Sequence, residues 1–317
     1  MIINSHVHFN TNNDFFFYSD YNIERLISEM DENKVDIALP CLNPKIGEMR
    51  CTNDCSWNCN KCKNNVNNNL QNCSNQCIYR NRHRGVIISR DGKYILKCKT
   101  CGKTILESNI DPLRKYNIEL IRQTQKYNNR LKPLLYLSLC EATLQKEIDY
   151  FESNFKGMFY GFKFHPWTDQ VSVESFRIKT KLPILIHTGL REFEKVEDAI
   201  VFAKRHPMNK IVIAHAAQLK KNVLDEIQES NNIFMDCCPS NFLFENREIC
   251  FENYRAIQSA EDIYYNALNI VNSDKILFGT DSPWGSTEKE LNIIQNLKIS
   301  DTDKENILFR TAEKVYL

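Results

Sequence analysis

Short apolar runs recur eight times along the chain, and most are separated by a stretch long enough for an amphipathic helix. The runs are continuous in Val, Ile, Leu and Phe, which is typical of parallel strands buried on both faces. Eight strand–helix units predict an α/β fold, specifically a closed (β/α)8 TIM barrel. The predicted strands are residues 1–9, 35–41, 132–139, 158–165, 182–188, 210–216, 232–238 and 275–281.

One segment interrupts this pattern directly after the second predicted strand. Residues 42–111 hold eight of the 13 cysteines, an asparagine-rich run at 64–72 and little apolar periodicity. Without this segment, the chain is close to the ~250 residues of a plain barrel. We therefore predict a barrel formed by residues 1–41 and 112–317. The insertion should emerge at the carboxyl end of the second strand, on the face where barrel active sites form.

Five of the seven histidines fall at or just beyond the ends of predicted strands. The carboxyl ends of barrel strands converge, so residues far apart in sequence become neighbours there. Asp281 follows the last predicted strand in the same way. Imidazoles together with a carboxylate are the ligands that zinc and similar divalent ions prefer. The histidines concerned are His6, His8, His165, His187 and His215.

Five motifs extend over the whole chain outside the insertion: H-x-H, GFKFHP, ILIHTG, IVIAHA and GTDSP. In this order, they resemble the motifs of the metal-dependent amidohydrolase superfamily. Within it, the chain is similar to the amidohydrolase-related branch that includes aminocarboxymuconate-semialdehyde decarboxylase-like enzymes. The resemblance implies that four residues bind one divalent metal, most commonly zinc: His6, His8, His187 and Asp281.

The same resemblance implies a reaction. We expect a hydrolase in which a metal-activated water cleaves an amide, ester or lactone bond of a small, carboxylated substrate. Asp281 or His215 would take the proton of that water, although in binuclear relatives the residue matching His215 binds a second metal. Because the branch also contains decarboxylases, metal-dependent non-oxidative decarboxylation is the alternative.

Other residues are predicted to line the pocket or to support it. Lys163 and His165 share a face of the fourth predicted strand, so both can point into the barrel. Lys163 would bind a substrate carboxylate or form an internal ion pair, although in some binuclear relatives a carboxylated lysine on this strand bridges two metals. Arg191 is placed to bind a carboxylate, and Trp167 and Trp284 either lie at the rim or simply pack.

The insertion is predicted to bind structural zinc. Two C-x-x-C pairs form one candidate four-thiolate site, and two C-x-x-x-C pairs form a second. Residues 85–98 are expected to form a hairpin. An iron–sulfur cluster is the alternative, since residues 55–62 contain the C-x3-C-x2-C spacing of radical S-adenosylmethionine enzymes. The cysteines are Cys51, Cys55, Cys59, Cys62, Cys73, Cys77, Cys98 and Cys101, and spacing does not determine their pairing.

Net charge limits the kinds of molecule that we expect the protein to bind. The net charge of +1 favours neither nucleic acid nor a membrane. The insertion alone carries a net +7, which thiolates in metal sites would offset, so we expect a small-molecule substrate and no nucleic acid. The alternative to an enzyme is a metal-binding recognition module that contacts nucleic acid or protein through this basic insertion.

The sequence says less about cellular location and oligomeric state than about the fold. No apolar run has the length that spans a bilayer, and polar residues from Asn4 onwards interrupt any signal-peptide core. An odd number of cysteines without an export signal indicates reduced thiols, so we expect a cytoplasmic protein. The sequence is compatible with a homo-oligomer and does not set the oligomeric state.

Overall fold

The structure is a computed structural model, and it describes most of the barrel together with three strands of the insertion. The described residues are 1–9, 21–42, 85–90, 93–98, 104–169, 171–252 and 254–317. Seven of the predicted zinc-binding cysteines and the side chain of Cys98 lie outside this description. The zinc sites and the recognition hypothesis therefore stay predictions. No helix in the described ranges is long and apolar enough to cross a membrane.

Eight parallel strands match the eight predicted apolar runs. Two of them, β1 and β2, pair with each other, and the other six form one sheet in chain order. A three-stranded antiparallel sheet, β3–β4–β5, belongs to the insertion. The strands are β1 Ile3–Phe9, β2 Ile37–Leu42, β3 Gly85–Arg90, β4 Lys93–Cys98, β5 Thr104–Ser108, β6 Leu134–Tyr136, β7 Gly161–Phe164, β8 Ile184–Ile186, β9 Ile211–Ile213, β10 Ile233–Asp236 and β11 Ile276–Leu277.

Backbone hydrogen bonds connect the two parallel sheets into a ring. Ser5 N donates to Phe278 O at 2.9 Å, which joins β1 to the segment after β11. On the other side, Ala38 N donates to Arg130 O at 2.8 Å, which joins β2 to the segment before β6. The predicted α/β fold with a parallel sheet is confirmed, and its eight strands close as a barrel.

Helices cover the outside of this ring. The first, α1, begins after Asn22, whose side chain accepts from Arg25 N, and it buries Ile23, Leu26 and Met30 on one face. The helices are α1 Ile23–Glu32, α2 Arg114–Thr124, α3 Leu144–Asn154, α4 Pro166–Asp169, α5 Val196–Arg205, α6 Lys221–Glu229, α7 Ser240–Glu245, α8 Arg247–Cys250, α9 Glu261–Leu268, α10 Thr287–Asn296, α11 Asp301–Glu305 and α12 Thr311–Tyr316.

Alternation along the strands divides the apolar core into two layers. In β8, Leu185 belongs to the inner cluster, whereas Ile184 and Ile186 pack in the outer cluster with the helices. In β1, the register shifts between Asn4 and Val7, so Ile3 lies in the inner cluster and Val7 in the outer one. This irregularity turns His6 and His8, which flank Val7, towards the inside of the barrel.

The insertion contacts the barrel through a buried tyrosine. Strands β3 and β4 form the predicted hairpin, with Gly85 opposite Cys98 and Arg90 opposite Lys93. Tyr94 on β4 is fully buried, and its hydroxyl lies 3.1 Å from Ser138 Oγ, just beyond β6. The hairpin therefore packs at the carboxyl end of the barrel strands, the face on which we expected the insertion.

Candidate metal centre

Three of the four predicted metal ligands come together at the carboxyl end of the barrel. His6 and His8 lie on β1, and Asp281 follows β11 in a left-handed backbone conformation with a φ of 51°. The Oδ1 atom of Asp281 lies 3.2 Å from His6 Nε2 and 3.1 Å from His8 Nε2. Two imidazole nitrogens and a carboxylate oxygen therefore converge on one buried point.

The opposite nitrogens of both rings have oxygen acceptors. His6 Nδ1 lies 2.9 Å from Asp236 Oδ2, and His8 Nδ1 lies 2.9 Å from the carbonyl oxygen of Leu42. These partners assign a hydrogen to Nδ1 in each ring, so Nε2 is the nitrogen directed at Asp281. Histidine ligands of metals are oriented in this way by carboxylates and carbonyls. The residues present therefore fit a divalent metal bound by both Nε2 atoms and Asp281.

Electrostatics at this point favour a cation between the three side chains. Burial would raise the pKa of Asp281, but the interactions with His6 and His8 hold it far below its usual range. Burial, followed by the charge of Lys163, lowers the pKa of His6. Burial also acts to lower the pKa of His8, yet Cys41 and Asp281 outweigh it and raise that pKa to about 10. In the metal-free protein, a proton on His8 therefore neutralises Asp281.

His187, the fourth predicted ligand, lies in an adjacent group with His215. His187 Nδ1 lies 2.8 Å from His215 Nε2, and His187 Nε2 lies 3.2 Å from Glu194 Oε2. The ring of His165 stacks on His187 with a centroid distance of 3.8 Å. The His215 ring lies 5.5 Å from the ring of His6, so the two groups adjoin. Ligation by His187 stays a prediction, because neither of its ring nitrogens is among the converging atoms of His6, His8 and Asp281.

Lys163 faces the barrel interior, as its strand parity predicts. Its side chain is almost fully buried, and its Nζ lies 2.9 Å from His6 Nε2. The amine thus lies directly beside the candidate ligands. Bridging of two metals by a carboxylated Lys163 and binding of a substrate carboxylate both stay predictions.

The remaining predicted residues lie along the same row of rings. The guanidinium carbon of Arg191 lies 4.6 Å from the centre of the Trp167 ring, which in turn lies 6.5 Å from His165. Trp284 meets His8 edge-on with a centroid distance of 5.4 Å. The two tryptophans therefore lie at opposite ends of a row of rings that runs through the histidines, with a cation at one end.

Sequence reasoning missed two carboxylates that hold the histidines. Asp236 lies in a predicted strand with the parity of Phe234, an inner-layer residue, so its position did carry a signal. Glu194 lies in the loop after β8, where no periodicity points to it. Asp236 contacts Nδ1 of His6, and Glu194 contacts Nε2 of His187. Both carboxylates therefore lie behind a histidine ring and not where His6, His8 and Asp281 converge.

His215 is the first residue of a left-handed turn. Five consecutive residues, His215–Leu219, have positive φ angles between 48° and 65°, and none of them is glycine. Each such residue costs roughly 1–2 kcal/mol compared with a right-handed conformation. The surrounding structure therefore stabilises a strained turn at the site, which is where such strain commonly accumulates.

The chain matches one protein-family model. The family model described as Amidohydrolase matches residues 122–317, which is more than half of the chain. No curated protein matches the chain.

Solved structures with the same fold align over nearly the whole chain. A dihydroxybenzoic acid decarboxylase from a Polaromonas species, with bound manganese and 2-nitroresorcinol, shares 14% identity at a TM-score of 0.56, covering 99% of this chain and 96% of the other. A 2,6-dihydroxybenzoate decarboxylase from Rhizobium shares 12% identity at 0.57, covering 99% and 98%. A 4-oxalomesaconate hydratase from Rhodopseudomonas palustris shares 12% identity at 0.54, covering 100% and 95%. At these identities, the likeness shows the fold.

Proposed function

Because the chain belongs to the amidohydrolase family, we propose that it is a metal-dependent enzyme acting on a small, carboxylated molecule. The observation that carries this proposal is the convergence of His6, His8 and Asp281 at the carboxyl end of the barrel. Catalytic metal sites in proteins have this composition of imidazoles and a carboxylate. We propose zinc or manganese, the latter because manganese is bound in one structure of the same fold.

The substrate class follows from the cations beside these ligands. Lys163 Nζ contacts His6 directly, and the Arg191 guanidinium lies at the outer end of the row of rings. A carboxylate is the group that lysine and arginine side chains in a pocket bind. The row of rings favours a planar substrate, because planar groups stack on aromatic faces.

We place non-oxidative decarboxylation first among the reactions. In that reaction the C–C bond to the carboxylate breaks, its electron pair stays on the substrate carbon, and a proton is delivered there as CO2 leaves. His215 donates its Nδ1 hydrogen to Cys238 O at 2.7 Å, so its Nε2, which lies 2.8 Å from His187 Nδ1, is the nitrogen that would carry that proton. The decarboxylases among the structures of the same fold support this choice.

Hydrolysis of an amide, ester or lactone is the second candidate. In that reaction His215, or Asp281 as the sequence predicts, would accept the proton of an attacking water. A divalent metal bound by the three converging side chains would polarise a substrate oxygen and lower the pKa of water in either reaction. Both candidates use the same residues, so the products distinguish them.

The test begins with metal content and continues with products. We expect the purified protein to bind a divalent metal in the barrel, and Asp281→Asn to lose it. Asp274→Asn, an exposed change before β11, is the matched control and should bind metal like the wild type. Asp281→Asn protein that keeps the full metal affinity would contradict the proposal.

Products are then measured with the zinc- and manganese-loaded enzyme. Hydroxybenzoates and other carboxylated aromatic compounds, amides and lactones are incubated with each form. Release of CO2 supports decarboxylation, whereas release of an amine or alcohol supports hydrolysis. Turnover that is unchanged by Asp281→Asn would exclude the candidate centre as its origin.

A further inference from the structure

The loop after β8 fixes a carboxylate against His187. Glu194 is only 4% exposed, and its Oε2 lies 3.2 Å from His187 Nε2. Its other oxygen, Oε1, accepts from the backbone nitrogen of Arg191 at 3.2 Å. The backbone of the loop is closed by Gly189 N, which donates to Glu194 O at 2.7 Å. Both carboxylate oxygens therefore have defined donors, and the side chain is held in one place.

Gly189 makes room for this carboxylate. A Cβ atom at position 189 would clash with Glu194 Oε1, Cδ and Cγ. Alanine at this position would thus displace the carboxylate from His187. The loop is consequently built around the contact between Glu194 and His187, in addition to connecting β8 to α5.

The other side of the His187 ring faces His215. His187 Nδ1 lies 2.8 Å from His215 Nε2, while His215 Nδ1 lies 2.7 Å from the carbonyl oxygen of Cys238. A carbonyl accepts only, so the hydrogen of a neutral His215 is on Nδ1 and its Nε2 is an acceptor. A carboxylate likewise accepts only, which assigns a hydrogen to His187 Nε2. In the neutral ring, His187 Nδ1 then carries a lone pair and faces the lone pair of His215 Nε2 at 2.8 Å, a repulsive contact that a proton or a bound cation between the two nitrogens would relieve.

We propose that Glu194 is a positioning residue, which holds the Nε2–H tautomer of His187 and directs its Nδ1 at the metal pocket. Glu194 does not bind the metal or the substrate, and it acts through His187 alone. The inference rests on the proposed function, since it takes His187 as the predicted fourth ligand of the metal held by His6, His8 and Asp281. A carboxylate behind a ligating histidine orients the ring and raises its basicity.

The first experiment reads the tautomer without any metal. The chelator-treated protein, labelled with 15N in its histidines, is compared with Glu194→Gln by long-range proton–nitrogen correlation. We expect His187 to be mainly the Nε2–H tautomer in the wild type. A glutamine amide can donate to Nε2 as well as accept from it, so the variant should gain the Nδ1–H form. Glu194→Asp should restore part of the wild-type pattern, and identical spectra for all three would overturn the inference.

The second experiment reads metal affinity. Competition between the chain and a chelator for Co2+ is followed in the ligand-field bands of nitrogen- and oxygen-bound Co2+, since thiolate sites in the insertion absorb through separate charge-transfer bands. Glu194→Gln and Gly189→Ala should each bind about 10- to 100-fold more weakly. Glu192→Gln, an exposed change two residues away, is the matched control.

The outcomes separate this inference from the proposed function. A wild type that binds no Co2+ in the barrel would contradict the metal site, and the tautomer spectra would still test Glu194. A wild type that binds Co2+ with the same affinity as Glu194→Gln, together with unchanged spectra, would refute the role of Glu194 and leave the metal site standing. Circular dichroism of each metal-free variant checks that its fold is intact.

Discussion

Asp236 Oδ2 lies 2.9 Å from His6 Nδ1, so a carboxylate on the tenth strand holds a histidine on the first. Both residues are fully buried. Asp236 also accepts from the backbone of the turn that carries His215, since its Oδ1 lies 3.0 Å from His215 N. One carboxylate therefore positions a candidate metal ligand and the candidate proton carrier at once.

Replacing Asp236 by Asn separates these two contacts. The amide oxygen can still accept from His215 N, but the amide nitrogen cannot accept the Nδ1 hydrogen of His6. We expect metal affinity to fall about 10- to 100-fold and the free energy of unfolding to fall by about 1–3 kcal/mol. Isothermal titration with Zn2+ and urea denaturation measure the two effects. Asp225→Asn, on the outer helix α6, is the control and should change neither quantity. Asp236→Asn protein that binds Zn2+ with wild-type affinity would contradict the positioning of His6 by Asp236.

Metal binding should release a proton. The pKa of His8 is raised to about 10, so in the metal-free protein His8 is protonated at neutral pH, whereas a metal ligand must be neutral. His6, whose pKa is lowered, contributes no proton at that pH. We expect release of about one proton, and therefore an affinity that rises about tenfold per pH unit between pH 7 and 9. Titration calorimetry in buffers of different ionisation enthalpy measures it, and a buffer-independent enthalpy would speak against it.

The left-handed turn after β9 should make glycine unusually well tolerated. Ala217, with a φ of 48°, and Ala203 in α5 are both fully buried, so replacing either by Gly removes the same methyl group. At position 217, relief of about 1–2 kcal/mol of left-handed strain offsets that loss, whereas at 203 the helix loses about 1 kcal/mol more. In urea denaturation, Ala217→Gly should be at least about 1 kcal/mol more stable than Ala203→Gly. Equal losses would show that the turn is not strained.

Glu290 should make stability depend on pH. Burial raises its pKa to about 7, although Ser240 Oγ donates to it at 2.6 Å. A group with a raised pKa stabilises the folded state below its unfolded pKa and loses that contribution as pH rises through the folded value. Relative to Glu290→Gln, the wild type should therefore lose about 1–3 kcal/mol of stability between pH 4.5 and 8. Parallel urea denaturation at several pH values checks this, and a constant difference would contradict it.

Several features of the barrel could be read from the sequence because they depend on local pattern. Each of the eight apolar runs contains one parallel strand, and β2 ends at Leu42, one residue beyond the predicted boundary. The predicted run 132–139 contracts to Leu134–Tyr136, although Leu137 N still donates to Lys163 O of β7 at 3.2 Å. Apolar continuity locates a buried strand, but hydrogen-bond pairing with its neighbours decides where the strand ends.

The sequence by itself determined which histidines would lie at the strand ends, because alternation and strand position are local properties of the chain. Only the tertiary structure decided their partners. Asp236 behind His6, Glu194 behind His187 and Lys163 beside His6 are contacts between strands or loops that barrel closure brings together. Those distances depend on strand register and loop path, which no spacing along the chain encodes. His187 accordingly faces His215, a pairing that the order of residues along the chain does not reveal.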